Sequence, residues 1–433
     1  MRHIFKFIAL VALAASAATA AAADLEFHGY SRVGFGFSSQ GGNQVAFGLN
    51  SNGGMKLRLG NEADWCLEPS FEMKFTKLDD KSEWGVHMLP AVYRRFNNGG
   101  RTAPATQTDS NNNADGGLNV SYKEYYFFGN NVPQLGGGSI FVGRRYFDRL
   151  YLGAINDQFL EAQDGVGAGV DDIPVGPAKV SFGISANPFT DGSDAQVNDR
   201  DVSFGVRVTS IPTFNKDSNL QIWTRVYVPM QKEGVTKRKT GYSASAMHIA
   251  GLGTAGTLTL AARYDKNAYT DQQNSGGGGL EQVRGVLVYG VALPAARTSI
   301  DAVAEYAKRK AVSSTSAAVA TPMDLDWFEI GLRTNTQIAG PFRFLLEVGY
   351  DTTKDKKADN KAHNLLKITP CLALSGGNET FSNPTFRLFY TYASWNKDAT
   401  ADIGGNYKST GFPAQFGDKT SAGVFGVQAE AGW

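Results

Sequence analysis

Phe425-Gly426-Val427-Gln428-Ala429-Glu430-Ala431-Gly432-Trp433 closes the chain in strict alternation. Phe425, Val427, Ala429, Ala431 and Trp433 share one parity; Gly426, Gln428, Glu430 and Gly432 share the other. Successive side chains of a strand point to opposite faces, so this is a strand with one apolar and one polar face. A closing strand of this kind, ended by an aromatic residue, suits a barrel in which the last strand pairs with the first.

The same rhythm recurs upstream. Phe342, Phe344, Leu346, Val348 and Tyr350 lie on one face, against Arg343, Glu347 and Asp351 on the other. Phe386, Leu388, Tyr390 and Tyr392 oppose Arg387, Phe389 and Thr391. Sixteen segments read as strands: 26–37, 56–76, 83–95, 119–128, 139–147, 179–186, 202–210, 220–228, 257–265, 283–293, 300–308, 327–336, 342–351, 365–374, 385–395 and 423–433. A soluble sandwich alternates too, but with shorter strands around a shared apolar core. Here the polar faces carry Arg, Glu and Asp, and aromatic residues gather at strand ends as the girdles of a membrane barrel do. The fold class expected is therefore all-β, a transmembrane antiparallel β-barrel with a wet interior.

Composition agrees. The chain holds 50 glycines and 12% aromatic residues, which suits strands joined by tight turns. Mean hydropathy is −0.25, and past the amino terminus there is no long apolar run, which excludes a helical membrane protein. Met1–Ala23 reads as an export signal: Arg2 and Lys6, a short apolar stretch, then small residues. Residues 24–433 then form a single barrel domain. Removing Arg2 and Lys6 leaves 40 basic against 41 acidic residues, a balance that calls for no nucleic-acid partner. Cys66 and Cys371 are far apart in sequence, and spacing leaves open whether they pair.

Polar stretches at 97–117, 265–279, 309–323 and 396–421 are the expected extracellular loops. The long segment 148–176, which carries Phe159 and Leu160, reads as a non-strand loop folding into the lumen. Gly251-Leu252-Gly253-Thr254-Ala255-Gly256 has the spacing of a dinucleotide fingerprint, but an alternating strand follows it, so it is a tight turn. His28, His87, His248 and His363 stand apart without metal-ligand spacing, and no GxSxG elbow is present. No catalysis, no metal and no cofactor are expected.

The first strand places Glu26, His28, Tyr30 and Arg32 on the polar parity, and the stretch 55–62 does likewise with Lys56, Arg58 and Glu62. These stretches resemble the start of the maltoporin (LamB-type) family of outer-membrane sugar channels. Gly143-Arg144-Arg145-Tyr146-Phe147-Asp148-Arg149 is similar to that family's strand leading into its constriction loop, and Gly165–Gly169 to the end of that loop. Further matches run in order to Phe425-Gly426-Val427-Gln428.

The resemblance implies 18 strands, an inward-folded constriction loop and a homotrimer set in outer-membrane lipid. It also implies sugars sliding along lumenal aromatics while a polar track bonds their hydroxyls. Carried over, the track is Arg32, Arg58, Glu68, Lys123, Arg149 and Asp157, with Tyr30 on the slide and Phe159 at the constriction. The slide is depleted: Cys66, Leu260, Leu374 and Gly432 occupy its other positions. Trp65 sits beside Cys66 on the lipid-facing parity. By parity, lumenal aromatics come instead from Tyr93, Trp223, Tyr227, Trp327 or Trp395. Ala46 and Ala63 stand where the family has a cysteine pair. The function expected is passive diffusion of sugars across the outer membrane, maltodextrin-like or other oligosaccharides. The alternative is a general or ion-selective porin; a barrel enzyme is the remote third reading.

Overall fold

Alternation resolves into a closed antiparallel sheet of 18 strands in the computed structural model. It describes residues 24–42, 44–49, 57–62, 64–95, 120–153, 155, 159–186, 199–231, 239–268, 280–311, 323–376, 383–403 and 416–433. The strands are β1 (Asp24–Ser38), β2 (Asp64–Lys77), β3 (Glu83–Arg95), β4 (Val120–Val132), β5 (Gly138–Tyr151) and β6 (Phe159–Val175). Next come β7 (Ala178–Ala186), β8 (Asp199–Pro212), β9 (Asn219–Gln231), β10 (Gly241–Gly251), β11 (Thr257–Ala268) and β12 (Leu280–Leu293). The last six are β13 (Thr298–Ala311), β14 (Met323–Ala339), β15 (Phe342–Asp355), β16 (Ala362–Ser375), β17 (Thr385–Trp395) and β18 (Ser421–Gly432). Each pairs with its sequence neighbours, and β1 also pairs with β18 from Tyr30–Gly432 to Ser38–Val424. No edge strand is left, which a sheet immersed in lipid requires.

The two faces sort as the alternation implies. Phe425, Phe35 and Phe386 point outward and are about half exposed, whereas Arg343, Glu347 and Asp351 point inward and are buried. The seam closes at Trp433, whose backbone exchanges hydrogen bonds with Gly29 at 2.9 and 3.0 Å. A Cβ on Gly29 would run into the Trp433 ring, so the residue that lets the last aromatic lie across β1 is a glycine. Short turns, among them those at 133–137, 213–218, 252–256 and 294–297, lie at the same end as residues 24 and 433. Barrels of this kind keep short turns on the periplasmic side. Asp80, in the turn between β2 and β3, bonds the Ser82 hydroxyl (2.6 Å) and N–H (2.9 Å), which hold its carboxyl below the usual range.

Two strands were not legible. β10 sets Ser243, Ser245 and Met247 inside against Tyr242, Ala244 and Ala246 outside, a weak contrast after the first residue. β6 lies within 148–176, which is not a long loop: β5 runs to Tyr151, and β6 starts at Phe159. Nor is 56–76 a continuous strand. β2 begins at Asp64, and the described residues before it, Leu57–Glu62, form a turn inside the barrel. The stretches 97–117, 269–279, 312–322 and 404–415 and the leader lie outside the described residues.

Among the described residues, two chain segments enter the lumen. From one, Val45, Phe47, Leu49 and Leu59 pack on Leu345, Leu365, Cys371, Phe389 and Trp395 of β15–β17, under Ile403 and Phe416. The other is the tip of the β5–β6 hairpin. β5 leaves β4 after Arg144, and β6 joins β7 only at Val166, so between them the described residues of 145–165 find ladder partners only in each other. Freed from both neighbours, the tip turns inward. There Leu152, Ile155 and Leu160 pack on Trp223, Met247, Ala261, Val286 and Val303 of the far wall. The inward-folded constriction is thus the end of a hairpin. The two segments meet where Arg58 N–H donates to Ile155 O at 2.8 Å.

Candidate functional site

Around that meeting point the inner wall is dense with paired charges. At the seam, Arg58 donates from Nη2 to Glu430 Oε1 (2.8 Å) and to the Tyr30 hydroxyl (2.9 Å), and from Nε to Glu62 Oε1 (2.8 Å). Tyr30 itself donates to Glu430 Oε1 at 2.6 Å. Arg32 grips Asp64 through Nε (2.8 Å) and Nη2 (2.7 Å) and reaches Glu62 through Nη1 (2.8 Å). Arg387 donates to Glu430 Oε2 and to Gln428 Oε1, the latter at 2.8 Å. Three arginines and three carboxylates therefore form one neutral lattice. Its side chains keep only 3–11% of their surface open, enough to touch the lumen. Charge-assisted bonds of this type are short and fix geometry.

A second lattice holds the hairpin. Asp148, at φ 57, accepts from Arg207 Nη1 (2.9 Å) and Arg225 Nη2 (2.9 Å). Asp171 accepts from Arg207 Nη2 (3.1 Å) and from Arg145. The Arg145 guanidinium lies 4.6 Å from the Phe141 ring and 5.1 Å from the Tyr126 ring, and Tyr126 stacks on His87 at 4.8 Å. At the tip, Glu161 accepts from Ser245 and faces Arg263 at 3.4 Å; Arg263 also donates to Leu160 O at 2.5 Å. On the remaining wall, Glu347 accepts from Arg333 (2.8 Å) and from Leu59 N–H (3.0 Å), while Lys367 donates to Leu57 O. No cluster of three or more metal-ligating groups occurs among the described residues.

The structure brings some of the sequence-derived residues together and separates others. Tyr30, Arg32 and Arg58 share the seam lattice, although Arg58 sits on the inward segment instead of a barrel strand. Glu68 pairs across the ladder with Tyr30 but takes no part in the bonds described above. Arg149 stands over the Tyr146 ring at 4.1 Å, at the bulge where β5 turns inward. Lys123 sits in the β-bulge opposite Leu89 and Pro90, away from both lattices. Asp157 and the side chains of Phe159 and Tyr93 lie outside the described residues.

Two slide positions are corrected. Leu260 and Leu374 are 47% and 40% exposed on the outer face, on the parity of Ala262 and Leu372, and cannot line the lumen. Trp65 is outward, as expected. Trp223, Tyr227, Trp327 and Trp395 do point inward but are buried: Trp223 under the hairpin tip, Trp395 beside Phe47 and Phe416. Trp223 and Trp395 hold the inward segments, Trp327 packs on Ala307 and Leu325 with Arg309 over its ring at 5.0 Å, and Tyr227 is fully covered. Cys66 and Cys371 are both buried and unpaired. Glu62, Asp64, Arg145, Arg207, Arg387 and Glu430 were not assigned from sequence; inward parity marks Glu430 and Arg387, but their partners come from folded segments that periodicity does not register.

The sequence model of the LamB porin family matches residues 25–433, nearly the whole chain. Among solved structures, the fold is similar to OccAB1 of Acinetobacter baumannii (TM-score 0.51, 11% identity, 95% of this chain and 96% of that one). It is also similar to OccAB3 of the same organism (0.50, 10%, 95% and 99%) and to Pseudomonas aeruginosa OpdK with vanillate (0.50, 10%, 95% and 98%). At those identities the likeness is one of fold.

Proposed function

Because the chain belongs to the LamB porin family of bacterial outer-membrane channels, we propose that it carries sugars by passive diffusion, from mono- to oligosaccharides, as a homotrimer with one pore per subunit. The observation that carries this reading is the seam lattice of Tyr30, Arg32, Arg58, Glu62 and Glu430 at the level where two inward segments narrow the lumen. A sugar gives up water at a constriction only if other donors and acceptors replace it, and charged ones do so best. Each guanidinium has five N–H donors, so partial exposure leaves bonds to exchange with passing hydroxyls. In this reading Arg149 and Glu68 extend the polar lining, and Lys123, Asp157 and Phe159 complete the proposed track. Many weak, equivalent contacts allow entry without trapping, the compromise any channel makes.

A second reading, a permissive general porin, is favoured by one observation: the slide positions at Leu260 and Leu374 face lipid, and the inward tryptophans are covered. Liposome swelling separates the two. Vesicles bearing the protein are expected to swell faster in isotonic maltose than in a non-sugar solute of equal size. Rates ordered by solute size alone would replace the sugar reading with the general one.

A further inference from the structure

We propose that Glu430 is the positioning residue that seats the inward turn 57–62 against the barrel seam and so sets the width of the passage. Glu430 lies on the last strand, on the inner parity, and its two oxygens are shared out: Oε1 takes Arg58 and Tyr30, and Oε2 takes Arg387. Of these partners only Arg58 belongs to the inward segment. Its side chain therefore ties that segment to β18 and β1, while its backbone N–H ties it to Ile155 of the hairpin. One residue thus links both inward segments to the wall, and Glu430 is the wall's carboxylate for it.

The rest of the segment is seated by shape and by further bonds to the wall, Arg32 to Glu62 at 2.8 Å, Leu59 N–H to Glu347 at 3.0 Å and Lys367 to Leu57 O. Leu57 fills a notch made by the cross-strand pair Gly331 and Gly349, where a Cβ on either would meet its side chain. Gln44 Nε2 donates to Gly60 O (2.8 Å), and Asn61 exchanges bonds with Phe47 at 2.9 and 2.7 Å. Apolar seating fixes depth but is indifferent to sliding; directional bonds resist it, and those to Glu430 hold the Arg58 side chain itself at the seam. Glu430 acts through Arg58 and is a positioning residue for the channel, whatever solute the channel carries; the inference rests on the channel and not on the sugar.

The test is single-channel recording in KCl without sugar, on Glu430→Gln, Arg58→Met and the double variant, with barrel folding checked by the mobility of unheated protein in SDS. Glu430→Gln keeps size and loses charge; loss of charge-assisted bonds is expected to make transient widening about ten-fold more frequent, seen as open-channel noise and a higher mean conductance. Arg58→Met is expected to do the same, and the double variant no more than either alone. A merely structural role would lower the barrel's unfolding temperature and leave noise unchanged. Wild-type noise and conductance in folded Glu430→Gln, or additive effects in the double variant, would overturn the proposal. Should Glu430→Gln not fold, Glu430→Asp, charged but a methylene short, is expected to raise noise, and silence there overturns it equally. Absence of sugar block in the wild type would sink the sugar reading and leave this result standing.

Discussion

Asp148 shows how much one side chain carries at the constriction. Its two oxygens hold Arg207 and Arg225 from different strands, and it occupies a left-handed backbone conformation that Asp and Asn tolerate. Asp148→Asn keeps the shape, strips Arg225 of this counter-charge and leaves Arg207 with Asp171. It should cost about 3 kcal/mol in denaturant unfolding followed by tryptophan fluorescence, and shift the reversal potential in a KCl gradient toward anions. At the seam, Gly29→Val should push the Trp433 ring aside and lower stability by about 1–3 kcal/mol, read from the temperature at which the barrel loses its fast mobility in SDS. Sequence made the inward parity of Arg32, Glu430 and Arg387 legible, because period-two alternation is a property of the strand alone. It could not say that Arg58 reaches Glu430, since that bond joins residues 372 apart through a segment with no period. Leu260 and Leu374 were misplaced for a related reason: a register carried over from another sequence flips faces with a single-residue slip.

Among elements, the inward segments differ from the strands in what holds them. Strands are held by ladders on both sides. The described inward residues 44–49 and 57–62 have no such ladder and are held mostly by side chains, with Phe47 stacked at 5.8 Å on Phe416 and 6.0 Å from Trp395. Phe47→Ala should cost about 3–5 kcal/mol of local stability while the barrel remains closed, so conductance rises and folded mobility in SDS stays unchanged. The hairpin tip is a strand pair that lost its neighbours, which explains why 148–176 reads as a loop. Apolar residues such as Leu160 follow no lipid-facing parity there, because the wall they pack on is the far side of the lumen. β10 escaped notice because alanine and serine differ too little in hydrophobicity to mark two faces. Where large apolar residues alternate with charges, as in β15, β17 and β18, the strand and its orientation were plain.

For the whole molecule, closure of β18 on β1 leaves no free edge, an apolar exterior meets lipid, and the buried charges line the lumen. The chain is an outer-membrane porin, and its interior is narrowed by two segments pinned through ion-pair lattices. Assembly as a trimer predicts that unheated protein in mild detergent runs at three times the subunit mass and separates into monomers on boiling; a monomer under native conditions would count against it. The direct test of sugar passage is ion current through the protein in a planar bilayer, titrated with glucose, maltose, maltotriose and longer dextrins. Saturable block is expected, tightening with chain length as more of the sugar lies against the lattice. Current that no sugar reduces, at any length or concentration, would contradict it.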